Sequence, residues 1–215
     1  MRRLSEYQVR IVQEDATNED SLRTALDVTQ EFGGLDVVYH GIGLTLPGFL
    51  ELDPSQWDAL YATNLRSVLI VLNLVLPIMK AQRRGSIVAM SSVMGRRPQT
   101  MEPLYGAFKC AVIHLCQSLA LQMAPYGIRI NVVAPGPTPP RDFEAISANS
   151  AFRAAINNMD AFQALANALA KEIPLGRLGE PENAAHAVMH LSSSVTGAFQ
   201  TGQVLGVDGG WWMPK

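Results

Sequence analysis

The sequence predicts one α/β domain, a doubly wound parallel sheet with helices on both faces. Two observations predict it. Short apolar runs alternate with longer segments of helical period along the whole chain, the pattern of β-α units whose strands are buried on both sides. No repeat, charge block or linker divides residues 1–215, and 48% hydrophobic side chains suffice for one sizeable core.

The elements follow in order. Residues 9–13 read as a first strand. A helix over 19–32 stops at Gly33-Gly34, and 35–40 is a buried strand that runs into Gly41-Ile42-Gly43. Asp53-Pro54-Ser55-Gln56 supplies an N-cap, a proline at the first helical position and a glutamine at the third. A helix therefore starts there and runs to about 82, kinked near Pro77. Residues 85–90 are the next strand, 104–124 a helix and 128–134 another strand. The proline-rich stretch 135–141 is irregular, because proline fixes φ and removes the amide donor. Alanine-rich helical turns cover 143–172 and carry Phe143, Phe152, Met159 and Phe162, read first as core contacts rather than ligand contacts. A helix over 181–192 and a strand over 203–207 lead to Asp208-Gly209-Gly210. In such a sheet ligands sit at the carboxyl ends of the strands.

Composition narrows the function. With 17 Lys plus Arg against 19 Asp plus Glu, the chain has no field that would attract nucleic acid or an anionic membrane. The start lacks the apolar run of a secretory signal, and the apolar run 68–79 is too short to span a bilayer, so a soluble cytoplasmic protein is expected. Cys110 and Cys116 read as reduced core thiols. His40, His114, His186 and His190 are scattered. Only His186 and His190 have a ligand spacing, without a third partner, so no metal is expected.

The chemistry concentrates in Tyr105-Gly106-Ala107-Phe108-Lys109, with Ser92 thirteen residues earlier at the end of a strand. Tyr105 and Lys109 lie one helical turn apart on the same face. A free phenol has a pKa of about 10, so it shuttles protons near neutrality only if a cation such as Lys109 stabilises the phenolate. Ser92 is placed to hydrogen-bond a carbonyl oxygen to which Tyr105 passes a proton.

These residues resemble the short-chain dehydrogenase/reductase family, built on one Rossmann-like domain. The resemblance runs from about Val9 to Gly210. It also includes Asn64 in Ala62-Thr63-Asn64-Leu65, Pro135-Gly136 after Asn131-Val132-Val133-Ala134, Leu175-Gly176-Arg177-Leu178-Gly179-Glu180-Pro181-Glu182, Thr201-Gly202-Gln203 and Val207-Asp208-Gly209-Gly210. It implies an NAD(P)-dependent oxidoreductase that interconverts a carbonyl and a secondary alcohol. Tyr105 is then the general acid/base, Lys109 lowers its pKa and binds the nicotinamide ribose, Ser92 orients the reacting oxygen, and Asn64 holds a water that links Lys109 to solvent. Asp15 and Ala16 meet the adenine, and Gly41 lies at the adenosine ribose. Pro135, Gly136 and Thr138 line the nicotinamide, and residues 138–172 form a substrate lid. Relatives pair through the helices at 54–82 and 104–124, so a homodimer or homotetramer is expected. Trp211 and Trp212 would close a lid or a subunit contact.

The departures from the family pattern fall in the cofactor half. The sequence contains no Thr-Gly-x-x-x-Gly-x-Gly phosphate loop, nor the strand that chooses between NAD and NADP. The family's Asn-Asn-Ala-Gly is here His40-Gly41-Ile42-Gly43, which is expected to weaken the anchoring of its strand. The strand at 9–13 is then expected to pair directly with 35–40. A cofactor-free acid/base catalyst, or a non-catalytic partner in an oligomer, is the alternative reading.

Overall fold

A computed structural model describes residues 8–139 and 159–213. Four parallel strands lie in the order β1 (Val37–His40), β2 (Gly85–Met90), β3 (Ile128–Pro135) and β4 (Val204–Val207). Val38 pairs with Ile87, Ile87 with Ile130, and Val132 with Val204. Helix α1 (Glu19–Glu31), α3 (Ser67–Gln82) and α4 (Pro103–Met123) bring side chains to one face of the sheet. There Val68, Leu72, Val75 and Met79 meet Val112, Cys116 and Ala120 over Ile87, Ile130 and Val132. On the other face Ala187 and Leu191 of α6 (Pro181–Ser192) cover Val88 and Val133. Burying side chains of this size stabilises by roughly 2 kcal/mol each, which is why β2 and β3 read as continuous apolar runs.

Local chemistry sets the helix ends. Asp53 caps α2 (Pro54–Tyr61): its carboxylate accepts from the Gln56 amide at 3.0 Å, and the Gln56 side chain accepts from the Asp53 amide at 3.0 Å. Between α2 and α3 a wide π turn, Ala62–Arg66, carries Asn64, so the predicted single helix contains a bulge there, and Pro77 lies inside α3. The 29 residues Pro54–Gln82 and the 24 residues Pro103–Tyr126 are long and apolar enough to cross a membrane. That length exceeds the short run read from the sequence; Val68, Leu72, Val75, Met79, Val112, Cys116 and Ala120 of these helices lie in the core, while Leu69 and Leu121 are exposed. Arg129 on β3 ties the C-terminal end of α6 to the sheet. Its guanidinium donates to the carbonyls of Leu191 and Gly197, both at 2.7 Å, and to Ser86 Oγ at 3.0 Å, placing a cation where helix carbonyls gather.

Two expectations are corrected. Residues 9–13 form no strand and do not pair with β1. Ile11 is 90% exposed, and Arg10 reaches the Glu31 carboxylate at the end of α1 at 3.1 Å. A strand needs both a partner edge and a face to bury, and Val9 and Ile11 find no apolar surface there. The outer edge of β1 stays unpaired among the described residues. Cys116 is in the core, but Cys110 is exposed, because the six-residue offset puts the two on different helix faces.

Candidate active site

The site forms where β1, β2 and β3 end. After β2 the chain turns through Ser91 and Ser92 into a 3₁₀ turn, Val93–Gly95. Ser92 caps it, accepting from the Met94 amide at 3.1 Å, while Ser91 Oγ donates to the Lys109 carbonyl at 2.8 Å. Gly95 packs against α4 so closely that an added Cβ would lie 2.8 Å from the Lys109 carbonyl carbon. These contacts hold Ser92 against the first turns of α4, where Tyr105 stands.

Lys109 is buried, and its Nζ donates to the carbonyls of Met90 at 3.1 Å and Ile42 at 3.4 Å, bridging the ends of β1 and β2. An ammonium has three donors, so one remains. Burial lowers Lys109 to about 8. Its Nζ lies 5.6 Å from the centre of the Tyr105 ring. The phenol is nevertheless pushed up to about 12, chiefly by burial. A hydrogen bond with Ser92 opposes this shift and the nearby Glu102 carboxyl adds to it. The net shift is upward because desolvation of the phenolate outweighs the Ser92 hydrogen bond.

Asn64 is fully buried. Its Nδ2 donates to the carbonyls of Leu44 at 2.8 Å and Leu60 at 3.0 Å, and its Oδ1 accepts from the Leu44 amide at 3.2 Å. It thus fastens the loop after β1 to the π turn. Gly43 runs between Asn64 and Lys109, where a Cβ would lie 3.2 Å from Asn64 Oδ1 and 3.4 Å from Lys109 Nζ. His40 anchors the same strand end by another route. The Ser67 hydroxyl donates to the Thr63 carbonyl at 2.7 Å, so it accepts from His40 Nε2 at 3.0 Å, and Nδ1 carries the lone pair. The imidazole replaces the expected loss of anchoring with a bond to α3. Burial, aided by Lys109, lowers its pKa to about 4.

Two cavities meet at Tyr105. One, of about 210 Å³, is lined by Gly41, Gly43, Met90, Ser91, Tyr105 and Lys109. The other, of about 610 Å³, joins Ser92 and Tyr105 to Gly136, Thr138, Glu102 and Trp211. Ser92, Tyr105, Lys109, Gly41, Gly136 and Thr138 therefore converge. Pro135 ends β3 opposite Val207 and lines neither cavity. Asp15 and Ala16 also lie apart from both. Asp15 closes an exposed turn by accepting from the Thr17 amide and hydroxyl, each at 2.8 Å, and these bonds lower its pKa. Of the predicted lid, residues 140–158, with Phe143 and Phe152, lie outside the described residues. Helix α5 (Met159–Glu172) contributes Leu165, Leu169 and Glu172 to the larger cavity.

Sequence reasoning missed Arg97 and Glu102 at the cavity and saw Trp211 only as a possible closing group. The Arg97 guanidinium lies 4.7 Å from the Trp211 ring centre and 3.7 Å from Glu172, and Trp211 Nε1 donates to Glu172 at 3.3 Å. Arg96 stacks at 3.6 Å on Trp212. The one sequence signal was a carboxylate one turn before Tyr105.

The family model described as enoyl-(acyl carrier protein) reductase matches residues 1–212. The chain belongs to the short-chain dehydrogenase/reductase family. It is 34% identical over 198 residues to the 3-oxoacyl-(acyl-carrier-protein) reductase FabG of Thermotoga maritima, covering 91% of this chain and 74% of that protein. Identity to the acetoacetyl-CoA reductase of Synechocystis sp. is 35% over 192 residues, covering 89% of this chain and 74% of that protein. A solved structure, ElxO with NADP bound, superposes with a TM-score of 0.79 at 27% identity, covering 95% of this chain and 77% of that one. The sheet with helices on both faces is the Rossmann-like fold of this family.

The residues present fit the nicotinamide-ribose end of such a cofactor. The donor left on Lys109 and the phenol of Tyr105 face the smaller cavity, and Gly43 keeps its wall free of side chains. For the diphosphate, the glycines in that cavity's lining are Gly41 and Gly43 of the loop after β1, and the sequence contains no Thr-Gly-x-x-x-Gly-x-Gly turn.

Proposed function

We propose that this short-chain dehydrogenase/reductase is an NAD(P)-dependent oxidoreductase that interconverts a carbonyl and a secondary alcohol, with Tyr105 as general acid/base. The observation that carries the reading is the convergence of Ser92, Tyr105 and Lys109 where the two cavities meet. NAD or NADP, when bound, supplies or accepts the hydride. Ser92, fixed as the cap of its turn, holds the carbonyl oxygen beside the phenol. Tyr105 gives that oxygen its proton as the alcohol forms and takes it back in the reverse direction. Lys109 offers its remaining donor to ribose hydroxyls, and its charge stabilises the phenolate left after transfer. Asn64 acts at one remove, by holding the loop that carries Gly43 and Leu44 in place. Gly136 and Thr138 wall the junction of the two cavities.

Pairing into a homodimer or homotetramer through α2–α3 and α4 belongs to the same proposal, as does a small-molecule carbonyl or alcohol substrate. Exposed Leu69 and Leu121 on those helices support the pairing.

Titration with NADH and NADPH, followed by nicotinamide emission, tests the reading first. Saturable binding is expected, followed by turnover of a ketone panel that Tyr105→Phe reduces by at least about a thousandfold with unchanged circular dichroism. A folded protein that binds neither nucleotide at millimolar concentration overturns the redox reading in favour of proton chemistry alone. Retained turnover in Tyr105→Phe places the proton donor elsewhere.

A further inference from the structure

We propose that Glu102 makes the larger cavity selective for carbonyl and alcohol substrates bearing a basic nitrogen, its carboxylate receiving the ammonium while Ser92 and Tyr105 hold the reacting oxygen. The inference rests on the catalytic reading above.

The argument is one of charge pairing. Four titratable side chains line this cavity: Arg97, Glu102, Tyr105 and Glu172. Arg97 is matched, since it lies 3.7 Å from Glu172 and over the Trp211 ring, and Glu172 also accepts from the Trp211 indole. Tyr105 is a neutral phenol. Lys109, one turn further along α4, lines the other cavity and is held by the carbonyls of Met90 and Ile42. This leaves Glu102 as the one carboxylate of the lining that no cation answers among the described residues.

Glu102 occupies the N-cap position of α4, yet its side chain makes no capping bond there. Its surroundings are largely apolar, with Met94, Pro98, Met101, Leu165 and Leu169 on the same walls. A half-buried carboxylate in such walls is poorly solvated, so an ammonium beside it recovers more than it would in water, and a second carboxylate is repelled. Burial accordingly raises Glu102 to about 7, which makes the selectivity grow as pH rises through neutrality. Glu102 immediately precedes α4, three positions before Tyr105, and both line the same cavity, so a substrate held at Tyr105 can bring a nitrogen a few carbons from its carbonyl to the carboxylate.

Three ketones of nearly equal shape test this: 4-(dimethylamino)butan-2-one, its neutral isostere 5-methylhexan-2-one, and the anion 4-oxopentanoate. At about pH 8 the wild type is expected to prefer the amine over the isostere by about tenfold in kcat/KM and to disfavour the anion. Glu102→Gln should bring the amine-to-isostere ratio near one, and Glu102→Asp should keep it well above one. A wild-type ratio near one, or a ratio that survives Glu102→Gln, overturns the proposal. If no ketone turns over, the catalytic reading fails by itself. Calorimetric binding of 4-(dimethylamino)butan-2-ol against 5-methylhexan-2-ol then decides: an amine preference lost in Glu102→Gln supports the proposal, and equal binding sinks it.

Discussion

Burial holds the Tyr105 phenol at about 12, so near neutrality the side chain is a proton donor. Ketone reduction uses that form, whereas alcohol oxidation needs the phenolate, whose fraction rises about tenfold per pH unit below the pKa. In the proposed enzyme, kcat for oxidation should climb steeply through the alkaline range while reduction stays nearly level. A flat oxidation profile in steady-state assays would show that the bound complex has already brought the phenol near neutrality. His40 gives the corresponding argument for stability. Its pKa is about 4 when folded and near 6.5 in the unfolded chain, so the unfolded state binds the extra proton first. The stability contributed by this neutral imidazole is present above pH 6.5 and is lost as pH falls towards 4, by at most about 3 kcal/mol. Thermal unfolding across that range should show a smaller acid loss in His40→Asn than in the wild type. Parallel curves would mean that the imidazole protonates without cost. Ser92, Tyr105 and Lys109 could be proposed from the sequence because the Tyr-x-x-x-Lys spacing on one helix face is joined to a serine thirteen residues earlier at the end of a strand. Arg97, Glu172 and Trp211 could not, because they come together only through segments distant in the chain.

At the scale of elements, what was legible was local. The helix start at Pro54 is written in neighbouring side chains: Asp53 and Gln56 cap one another wherever the helix packs. The strand expected at 9–13 depends on a distant edge, and apolar alternation cannot show whether that edge exists. The π turn was equally hidden, since its backbone is flanked by ordinary right-handed helix and the bonds that hold Asn64 run to Leu44, twenty residues away. The 3₁₀ turn after β2 has a more telling dependence. Gly95 lets it seat on α4, where a Cβ would come within 2.8 Å of Ser91 Oγ and 2.9 Å of the Lys109 carbonyl oxygen. Main-chain atoms of a packed helix cannot yield cheaply, so Gly95→Ala should push Ser92 and Tyr105 apart. The expected outcome is a loss of about 1–3 kcal/mol in urea unfolding together with a fall in kcat larger than any change in KM. Unchanged kcat in a destabilised variant would show that the turn supports the fold without positioning the serine.

For the whole molecule, the alternation of runs and helical segments was enough to give parallel strands with helices on both faces, because each unit repeats the same burial problem. It did not show how the sheet ends. On β1, Val37 and Tyr39 are 47% and 48% exposed, and beside them runs a strand edge whose outer amides and carbonyls pair with no other strand among the described residues. An apolar, open edge is a template for another strand, and natural sheets protect such edges with lysine, proline or a covering segment. Neither Val37 nor Tyr39 is such a guard. Leu69 and Leu121, on the outer faces of α3 and α4, offer a different contact, side chain against side chain, which saturates once two helix pairs have met. The two surfaces therefore predict separable behaviour in sedimentation velocity. Tyr39→Lys should remove species that grow with concentration while leaving a defined dimer or tetramer in place. Leu121→Glu should convert that defined species to monomer and leave the open-ended growth. If Tyr39→Lys dissolves the defined oligomer instead, the subunits join through the sheet edge, and the assignment of pairing to the helices is wrong.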